Sequence, residues 1–300
     1  MIQPPYLKKG DKIAIVSPAR RITFEEVFPA MKLFQKWDFE VVLGTHVFGN
    51  NHQFSGTDEQ RLQDFQQMLD DPSIRAIIAA RGGYGTVRII DKLDFSRFSQ
   101  HPKWIIGYSD VTVLHSHIHR NFGIQTLHAT MPLNMKEADT QNVSIESLYK
   151  SLTGGKLFYT KHITFHDKTG LTEGVLVGGN LSILNSLMET PSDIDTEGKI
   201  LLLEDVDEYL YHVDRMMINL KRAGKLKHLK GLIVGGMTDM KDNEVPFGKN
   251  AEEIIVDAVS EYDYPVCFDF PAGHSHGNVA LYLGRKAKLI VDDEVSLLFN

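Results

Sequence analysis

The sequence predicts an α/β protein whose first half forms a parallel β-sheet covered by helices. Two observations lead to this prediction. Short apolar runs rich in β-branched residues alternate with segments of helical periodicity. Several of these runs also end directly in turns that contain glycine or serine. Strands that alternate with helices form parallel sheets, and such sheets carry their functional groups at the carboxyl ends of the strands.

In the first half, five short apolar runs are predicted as strands: Lys12–Val16, Glu40–Leu43, Ala76–Ala80, Trp104–Ile106 and Ile124–Leu127. Four helices are predicted between them from the spacing of their apolar residues: Thr23–Trp37, Thr57–Leu69, Thr86–Leu93 and Val111–Arg120. Pro29 lies within the first of these helices and is unfavourable there, because an interior proline removes one hydrogen bond. Asp71-Pro72 ends the second.

The second half continues with strands and helices after a polar stretch. Its predicted strands are Gly174–Val177, Lys199–Leu203, Leu232–Val234, Val266–Phe268 and a C-terminal hairpin around Asp292-Asp293. Its predicted helices are one that ends near Met188, Tyr209–Ala223 and Ala251–Ser260. The length of 300 residues fits two domains. We therefore expect an N-terminal domain over 1–135, a linker over 136–169 and a C-terminal domain over 170–300.

Composition excludes several classes of protein. Lys plus Arg number 32 and Asp plus Glu 39, a formal charge of −7, which argues against a dedicated nucleic-acid binder. The single cysteine, Cys267, excludes an internal disulfide and a cysteine-rich metal cluster. The sequence has no apolar run of membrane-spanning length and no signal-peptide core near residue 1, so we expect a cytoplasmic protein that does not bind membranes.

Ser109 is the first candidate for a catalytic residue. It lies where the run Trp104–Ile106 turns into a helix, next to Gly107. A serine on such a turn projects its hydroxyl from the edge of the sheet, and the amides that follow can stabilise an oxyanion. The alternative is that Ser109 or Asp110 only caps the helix.

Three further segments carry candidate groups. The loop Arg81–Gly85 has three glycines after a strand, which allow a ligand-facing backbone or simply a tight turn. Glu204 and Asp205 follow an apolar run and either orient a histidine or cap a helix. The loop Phe270–Asn278 carries His274 and His276, which suit acid–base chemistry better than metal binding.

The histidines of the helix after Ser109 suggest a metal site as an alternative. His115 and His119 share one helix face, but no further ligand pattern accompanies them, so we expect them to be structural.

The candidates also form an ordered set. Ser109, Glu204 and His274 follow one another as nucleophile, acid and base, and a cleft between two domains could assemble them. With its neighbouring motifs this set resembles the LD-carboxypeptidase family of serine peptidases, which includes muramoyltetrapeptide carboxypeptidases and microcin C self-immunity proteins. The matching segments are RGGYG (81–85), GYSDVT (107–112), GGNL (178–181), LLLEDVDE (201–208) and FPAGHSHGN (270–278).

The resemblance implies a flavodoxin-like N-terminal domain and a smaller, β-rich α/β C-terminal domain. It also implies a catalytic triad of Ser109, Glu204 and His274, with an oxyanion hole from the amides of Gly83 and Asp110. No metal or organic cofactor is expected. An exopeptidase needs a group for the terminal carboxylate of its substrate, and Arg81 is our candidate, the alternative being a surface arginine.

The substrate implied by the resemblance is a murein tetrapeptide, which would lose its terminal D-Ala by cleavage of an L,D bond during cell-wall recycling. The family also suggests a homodimer. Two alternatives remain open at this point. One is a hydrolase that detoxifies peptidyl or aminoacyl nucleotides of the microcin C type, and the other is a peptide-binding protein without catalysis. His276, two residues from His274, is a second possible base.

Overall fold

A computed structural model describes residues 1–135, 142–275 and 277–299. It contains two β-sheets with helices interleaved between the strands, which confirms the predicted α/β class. The first sheet contains β1 (Lys12–Val16), β2 (Glu40–Leu43), β3 (Ile74–Ala79), β4 (Trp104–Gly107) and β5 (Thr126–His128). These five strands are parallel, in the order β5-β4-β3-β1-β2.

A strand from the end of the chain completes the first sheet. β11 (Leu281–Leu283) pairs antiparallel with β5, and Tyr282 lies opposite Leu127. The side chain of Arg285 extends this contact by donating a hydrogen bond from Nε to Gln125 Oε1 at 3.0 Å. The sheet that carries the predicted nucleophile is therefore built from both halves of the sequence.

The second sheet has seven strands in the order β10-β9-β8-β7-β12-β13-β6. Their bounds are β6 (Phe158–His162), β7 (Gly170–Asn180), β8 (Lys199–Val206), β9 (Gly231–Thr238), β10 (Val266–Cys267), β12 (Lys286–Val291) and β13 (Glu294–Phe299). β7 to β10 pair in parallel, whereas β12, β13 and β6 form an antiparallel extension on the other side of β7. The C-terminal hairpin predicted around Asp292-Asp293 is present as β12 and β13.

Eight α-helices accompany the two sheets in the described part of the chain. They are α1 (Phe24–Lys36), α2 (Asp58–Asp70), α3 (Ser96–Gln100), α4 (Thr112–Phe122), α5 (Val143–Thr153), α6 (Leu181–Ser186), α7 (Leu210–Arg222) and α8 (Ala251–Val259). Thr23 and Thr57 cap α1 and α2 with their side chains, each in a capping box. Such caps stabilise a helix by about 1 kcal/mol, which explains why both helices begin where the sequence predicts.

Several elements differ from the sequence prediction. The segment predicted as a helix over Thr86–Leu93 forms two short 3₁₀ turns, Thr86–Arg88 and Ile90–Lys92. β8 extends through Val206, so Glu204 and Asp205 lie inside a strand rather than after it. α3, β6 and β11 were not predicted.

The predicted linker begins with residues 136–141, which lie outside the described residues. Its described part contains α5 and β6, and β6 pairs with β13 of the second sheet. The division of the chain at residues 136–169 stays a prediction.

Candidate active site

The turn after β4 holds Ser109 in an uncommon backbone conformation. Its φ is +62°, in the left-handed region that L residues other than glycine rarely adopt. Gly107 precedes it with φ +150°, and a Cβ there would lie 2.7 Å from Val111 Cγ2, so only glycine fits. The turn leads through a 3₁₀ segment into α4. Such strain costs about 1–3 kcal/mol and persists where the surroundings enforce it, which is common at active sites.

The glycine loop after β3 lies against Ser109. A Cβ on Gly82 would come within 2.9 Å of both Cβ and Oγ of Ser109, and within 3.5 Å of the Asp110 amide nitrogen. The loop backbone and the Asp110 amide therefore border the same space beside the Ser109 hydroxyl. A Cβ on the next residue, Gly83, would overlap the side-chain carbons of Arg20, so the Arg20 stem covers this residue.

Two buried charged side chains hold the glycine loop in place. The Asp110 carboxylate accepts a hydrogen bond from the Thr86 amide at 2.9 Å, and burial raises the pKa of this carboxyl. The fully buried Arg61 donates from Nη1 to the Gly85 carbonyl at 3.0 Å and also to the Pro18 carbonyl. The end of the loop is thus fixed both to the Ser109 turn and to the segment after β1.

The structure brings Glu204 and His274 together. Glu204 Oε2 lies 2.7 Å from His274 Nδ1 and accepts a second hydrogen bond from the His274 amide at 3.2 Å. Glu204 is fully buried, and Gly273 allows this approach, because a Cβ there would overlap the carboxylate. Burial by itself lowers the pKa of His274, but the hydrogen bond and charge of Glu204, with the charge of Asp205, raise it above the usual value. Because Nδ1 is occupied, Nε2 is the nitrogen left for proton transfer.

Asp205, the residue after the carboxylate partner of His274, links the two halves. Its buried side chain accepts hydrogen bonds from Asn180 Nδ2 at 2.9 Å and from the Ser182 amide at 2.8 Å. Burial, followed by the charge of Glu204, raises the pKa of Asp205 to about 7. The backbone amide of Asn180 in turn donates to Thr112 Oγ1 at 3.0 Å, in the first turn of α4. A continuous set of hydrogen bonds therefore runs from the helix behind Ser109 to the strand that carries Glu204.

Tyr108 connects the Ser109 turn with His274. Its ring packs edge-on against the imidazole, with centroids 4.9 Å apart, and its hydroxyl donates to Asn134 Oδ1 at 3.2 Å. Tyr108 and His274 line a cavity of about 480 Å³. Between the described residues Ser109 and His274 there is no hydrogen bond, and such catalytic contacts often tighten only when substrate is bound. His276 lies outside the described residues.

Three histidines of the first half, His115, His119 and His128, are buried. Burial lowers the pKa of His115 to about 4 and that of His128 to about 3. His115 Nε2 is bonded to the Gly107 carbonyl at 2.9 Å, so this ring supports the turn before Ser109. His119 is also buried, and its Nε2 lies 3.0 Å from Thr126 Oγ1. Over residues 1–135, 142–275 and 277–299, no three His, Cys, Asp or Glu side chains form a group that could hold a metal ion.

Some residues of this site were not assigned a role from the sequence. Tyr108, Thr112 and Asn180 all lie within the motifs that carry the family resemblance, so the motifs were the available signal. Their roles depend on contacts between distant segments, which sequence spacing does not reveal. Arg61 had no signal, because an arginine on the polar side of a helix pattern is ordinarily exposed.

None of the helices in the described ranges is long and apolar enough to cross a membrane.

Comparison with known proteins identifies the family. Residues 13–129 match the LD-carboxypeptidase N-terminal domain, and residues 173–289 match the LD-carboxypeptidase C-terminal domain. A probable murein peptide carboxypeptidase from Bacillus subtilis is 33% identical over 99% of this chain and 94% of its own length. The murein tetrapeptide carboxypeptidase of Pseudomonas aeruginosa is 29% identical, with 93% of this chain and 92% of the relative covered.

Solved structures show the same fold. The muramoyltetrapeptide carboxypeptidase from Oxalobacter formigenes superposes with a TM-score of 0.87 at 26% identity, covering 96% of this chain and 98% of the other. The self-immunity protein MccF, in complex with glutamyl sulfamoyl guanosine, gives a TM-score of 0.88 at 22% identity, covering 99% and 98%. Both halves of the sequence are matched, and the chain belongs to the LD-carboxypeptidase family as a serine carboxypeptidase.

Proposed function

We propose that this enzyme releases the terminal D-amino acid, D-Ala, from a murein tetrapeptide at an L,D bond, in cell-wall recycling. The observation that carries the proposal is the hydrogen bond between buried Glu204 and His274 Nδ1, beside a serine on a strained turn. Murein peptides are also the substrates named for two of the similar carboxypeptidases.

In this proposal Ser109 is the nucleophile and His274 the base. His274 Nε2 takes the hydroxyl proton as Ser109 Oγ attacks the scissile carbonyl carbon. Glu204 fixes the ring tautomer and stabilises the imidazolium. The imidazolium then gives its proton to the leaving amine, and a water molecule, activated in the same way, hydrolyses the acyl-enzyme. These steps require no metal or organic cofactor.

The amides of Gly83 and Asp110 are the proposed oxyanion donors. The contact of Gly82 with the Ser109 side chain supports this, because it places the loop backbone beside the hydroxyl. One such donor typically contributes about 2.7–4 kcal/mol to transition-state stabilisation. Arg81 is the proposed partner of the terminal carboxylate of the substrate. It lies at the start of the same loop, half-buried, and its guanidinium donates to the Arg21 carbonyl at 3.3 Å.

Mass spectrometry of products from a panel of tetrapeptides tests the proposal. We expect release of D-Ala from a murein tetrapeptide and none from the analogue that ends in L-Ala. Ser109→Ala should remain folded and inactive. Release of D-Ala or L-Ala by Ser109→Ala would overturn the assignment of the nucleophile.

The panel should also contain an aminoacyl sulfamoyl nucleoside. Cleavage of that compound without cleavage of the tetrapeptide would replace murein by the nucleotide substrate class. Tight peptide binding without any turnover would instead indicate a binding protein.

A further inference from the structure

A groove of about 870 Å³ opens at one edge of the first sheet and carries three arginines. It is lined by the segments that follow β1, β2 and β3, including Arg20, Arg21 and Arg81. These segments leave the carboxyl ends of three parallel strands, on the same edge of the sheet as Ser109. The groove is therefore placed where α/β proteins bind their ligands.

The backbone of the two consecutive arginines is fixed. Arg20 forms an antiparallel bridge with Phe54, and the Arg21 amide donates to the Gln53 carbonyl at 2.9 Å. The Arg20 stem lies over Gly83, one residue from the glycine that touches Ser109. The Arg20 side chain thus extends from an ordered segment across the loop beside the nucleophile.

The charges of the groove are not neutralised within the described residues. No salt bridge involves Arg20, Arg21 or Arg81 in this part of the chain. Glu26 is the one carboxylate among the lining residues, and its Oε2 already accepts a hydrogen bond from the Thr23 amide at 2.9 Å. The Nε atom of Arg81 is buried without a hydrogen-bond partner.

Arg20 and Arg81 also repel each other. Burial lowers the pKa of Arg81, the positive charge of Arg20 lowers it further, and Glu26 opposes the shift only partly. Two neighbouring cations that lack a matching anion are stabilised when an anion binds between them. Guanidinium groups form especially favourable hydrogen bonds with carboxylates.

The second cavity of the site offers no such charge. The residues that line the 480 Å³ cavity around His274 include Asp239 but, in the described ranges, no arginine or lysine. Of these two openings, as far as the described residues line them, the groove with Arg20 and Arg81 is the one suited to an anion.

We propose that Arg20 acts with Arg81 to bind the free carboxylate of the leaving residue, and so makes the enzyme specific for peptides with an unblocked C-terminus. This inference rests on the proposed function, which has a terminal residue leave. It adds Arg20 as a specificity-determining residue and assigns the groove to the carboxyl-terminal end of the substrate.

The test compares one tetrapeptide as the C-terminal acid and as the C-terminal amide. Wild type should favour the acid. Arg20→Gln should lower kcat/KM for the acid by about 10- to 100-fold, the range expected when a charged hydrogen bond is lost, mainly through KM. It should leave the amide unchanged, and Arg20→Lys should restore part of the preference. Arg222→Gln, an exposed arginine in the last turn of α7, is the matched control and should behave as wild type.

Calorimetry with the Ser109→Ala protein separates this inference from the proposed reaction, because binding is then read without turnover. Adding Arg20→Gln should weaken binding of the acid by the same factor and leave binding of the amide unchanged. Equal weakening of both peptides, weakening of neither, or no binding of the acid to Ser109→Ala would overturn the role of Arg20. If binding follows the prediction but wild type releases no D-Ala, the proposed reaction fails and the carboxylate site stands.

Discussion

The two halves of the proposed active site are prepared by different physical means. In the first sheet, Ser109 is held by backbone geometry, with φ +62° after a glycine that no other residue can replace. In the second sheet, Glu204 and Asp205 are adjacent buried carboxylates, and their charge sets the protonation of His274. The first half carries the energetic cost of a strained backbone at Ser109. The second half carries the cost of removing two carboxylates from water. Substitutions in the two halves should therefore change different observables.

The largest expected effect comes from the charged half. Glu204→Gln keeps the shape of the acid but removes its charge and allows the wrong tautomer of His274. We expect kcat to fall by about 10⁴-fold, as when the acid of a serine-protease triad becomes an amide.

Steady-state kinetics on the murein tetrapeptide measure the effect of Glu204→Gln. Glu208→Gln is the control, because it breaks another Glu–His contact, 3.0 Å from Oε2 to His212 Nδ1, away from the site. A Glu204→Gln enzyme that is folded and retains a tenth of wild-type activity would contradict the assigned role.

The next effect concerns the stability of the protein in acid and comes from the half that holds Ser109. His128 is buried with a pKa of about 3, and neither ring nitrogen has a hydrogen-bond partner among the described residues. The unfolded chain binds a proton near pH 6.5 and the folded chain only near pH 3, so stability falls as the pH decreases between these values. At 1.36 kcal/mol per pH unit, this costs about 2 kcal/mol at pH 5.

Urea unfolding at pH 7 and pH 5 measures this contribution. His128→Leu should lose less unfolding free energy between the two pH values than wild type, by about 2 kcal/mol. His101→Leu, an exposed histidine before β4, is the control and should keep the pH dependence of wild type. The same loss in His128→Leu and wild type would show that His128 does not carry this pH dependence.

A smaller effect should follow from relieving the strain at Ser109. Ser109→Gly permits φ +62° without a Cβ, so we expect the free energy of unfolding to rise by about 1 kcal/mol, the lower end of the usual cost of such strain. Ser109→Ala keeps the Cβ and should not gain stability, although both variants are inactive. If thermal and urea unfolding gave equal stability for the two variants, the turn would hold no conformational strain.

The smallest effect should be a shift in the pH profile. The charge of Asp205 helps to raise the pKa of His274, and the base must be neutral to act, so activity falls as the pH decreases through that pKa. Asp205→Asn should move the acid limb of kcat/KM to lower pH by a few tenths of a unit, whereas Asp207→Asn, an exposed acid paired with Lys241, should not move it. A shift to higher pH would reverse the assigned sign.

The sequence predicted the parts of this molecule that local chemistry determines. The periodicity of α1 and the strand–turn–helix around Ser109 are local features, and both are present as expected. The position of Glu204 inside β8 depends on its pairing with Asn180 of β7 and on the pairing with β9, which resumes at Asp205 after an irregular register. That pairing is a tertiary property.

Contacts between distant segments were beyond sequence reasoning for the same reason. The hydrogen bond from the Asn180 backbone amide to Thr112 requires a glycine at position 179, because a Cβ there would lie 2.5 Å from Thr112 Oγ1. The sequence shows the motif GGNL, but it does not show that this motif packs against Thr112 of α4.

The pairing of β11 with β5 has a consequence for biosynthesis. A ribosome that has made every residue through β5 still has about half of the chain to add before Leu281–Leu283 emerge. During that time the edge of β5 has unpaired backbone groups, which favour association between nascent chains. The sheet that holds Ser109 can therefore be completed only late in translation, and we expect chaperones that bind exposed strand edges to improve the yield of active enzyme.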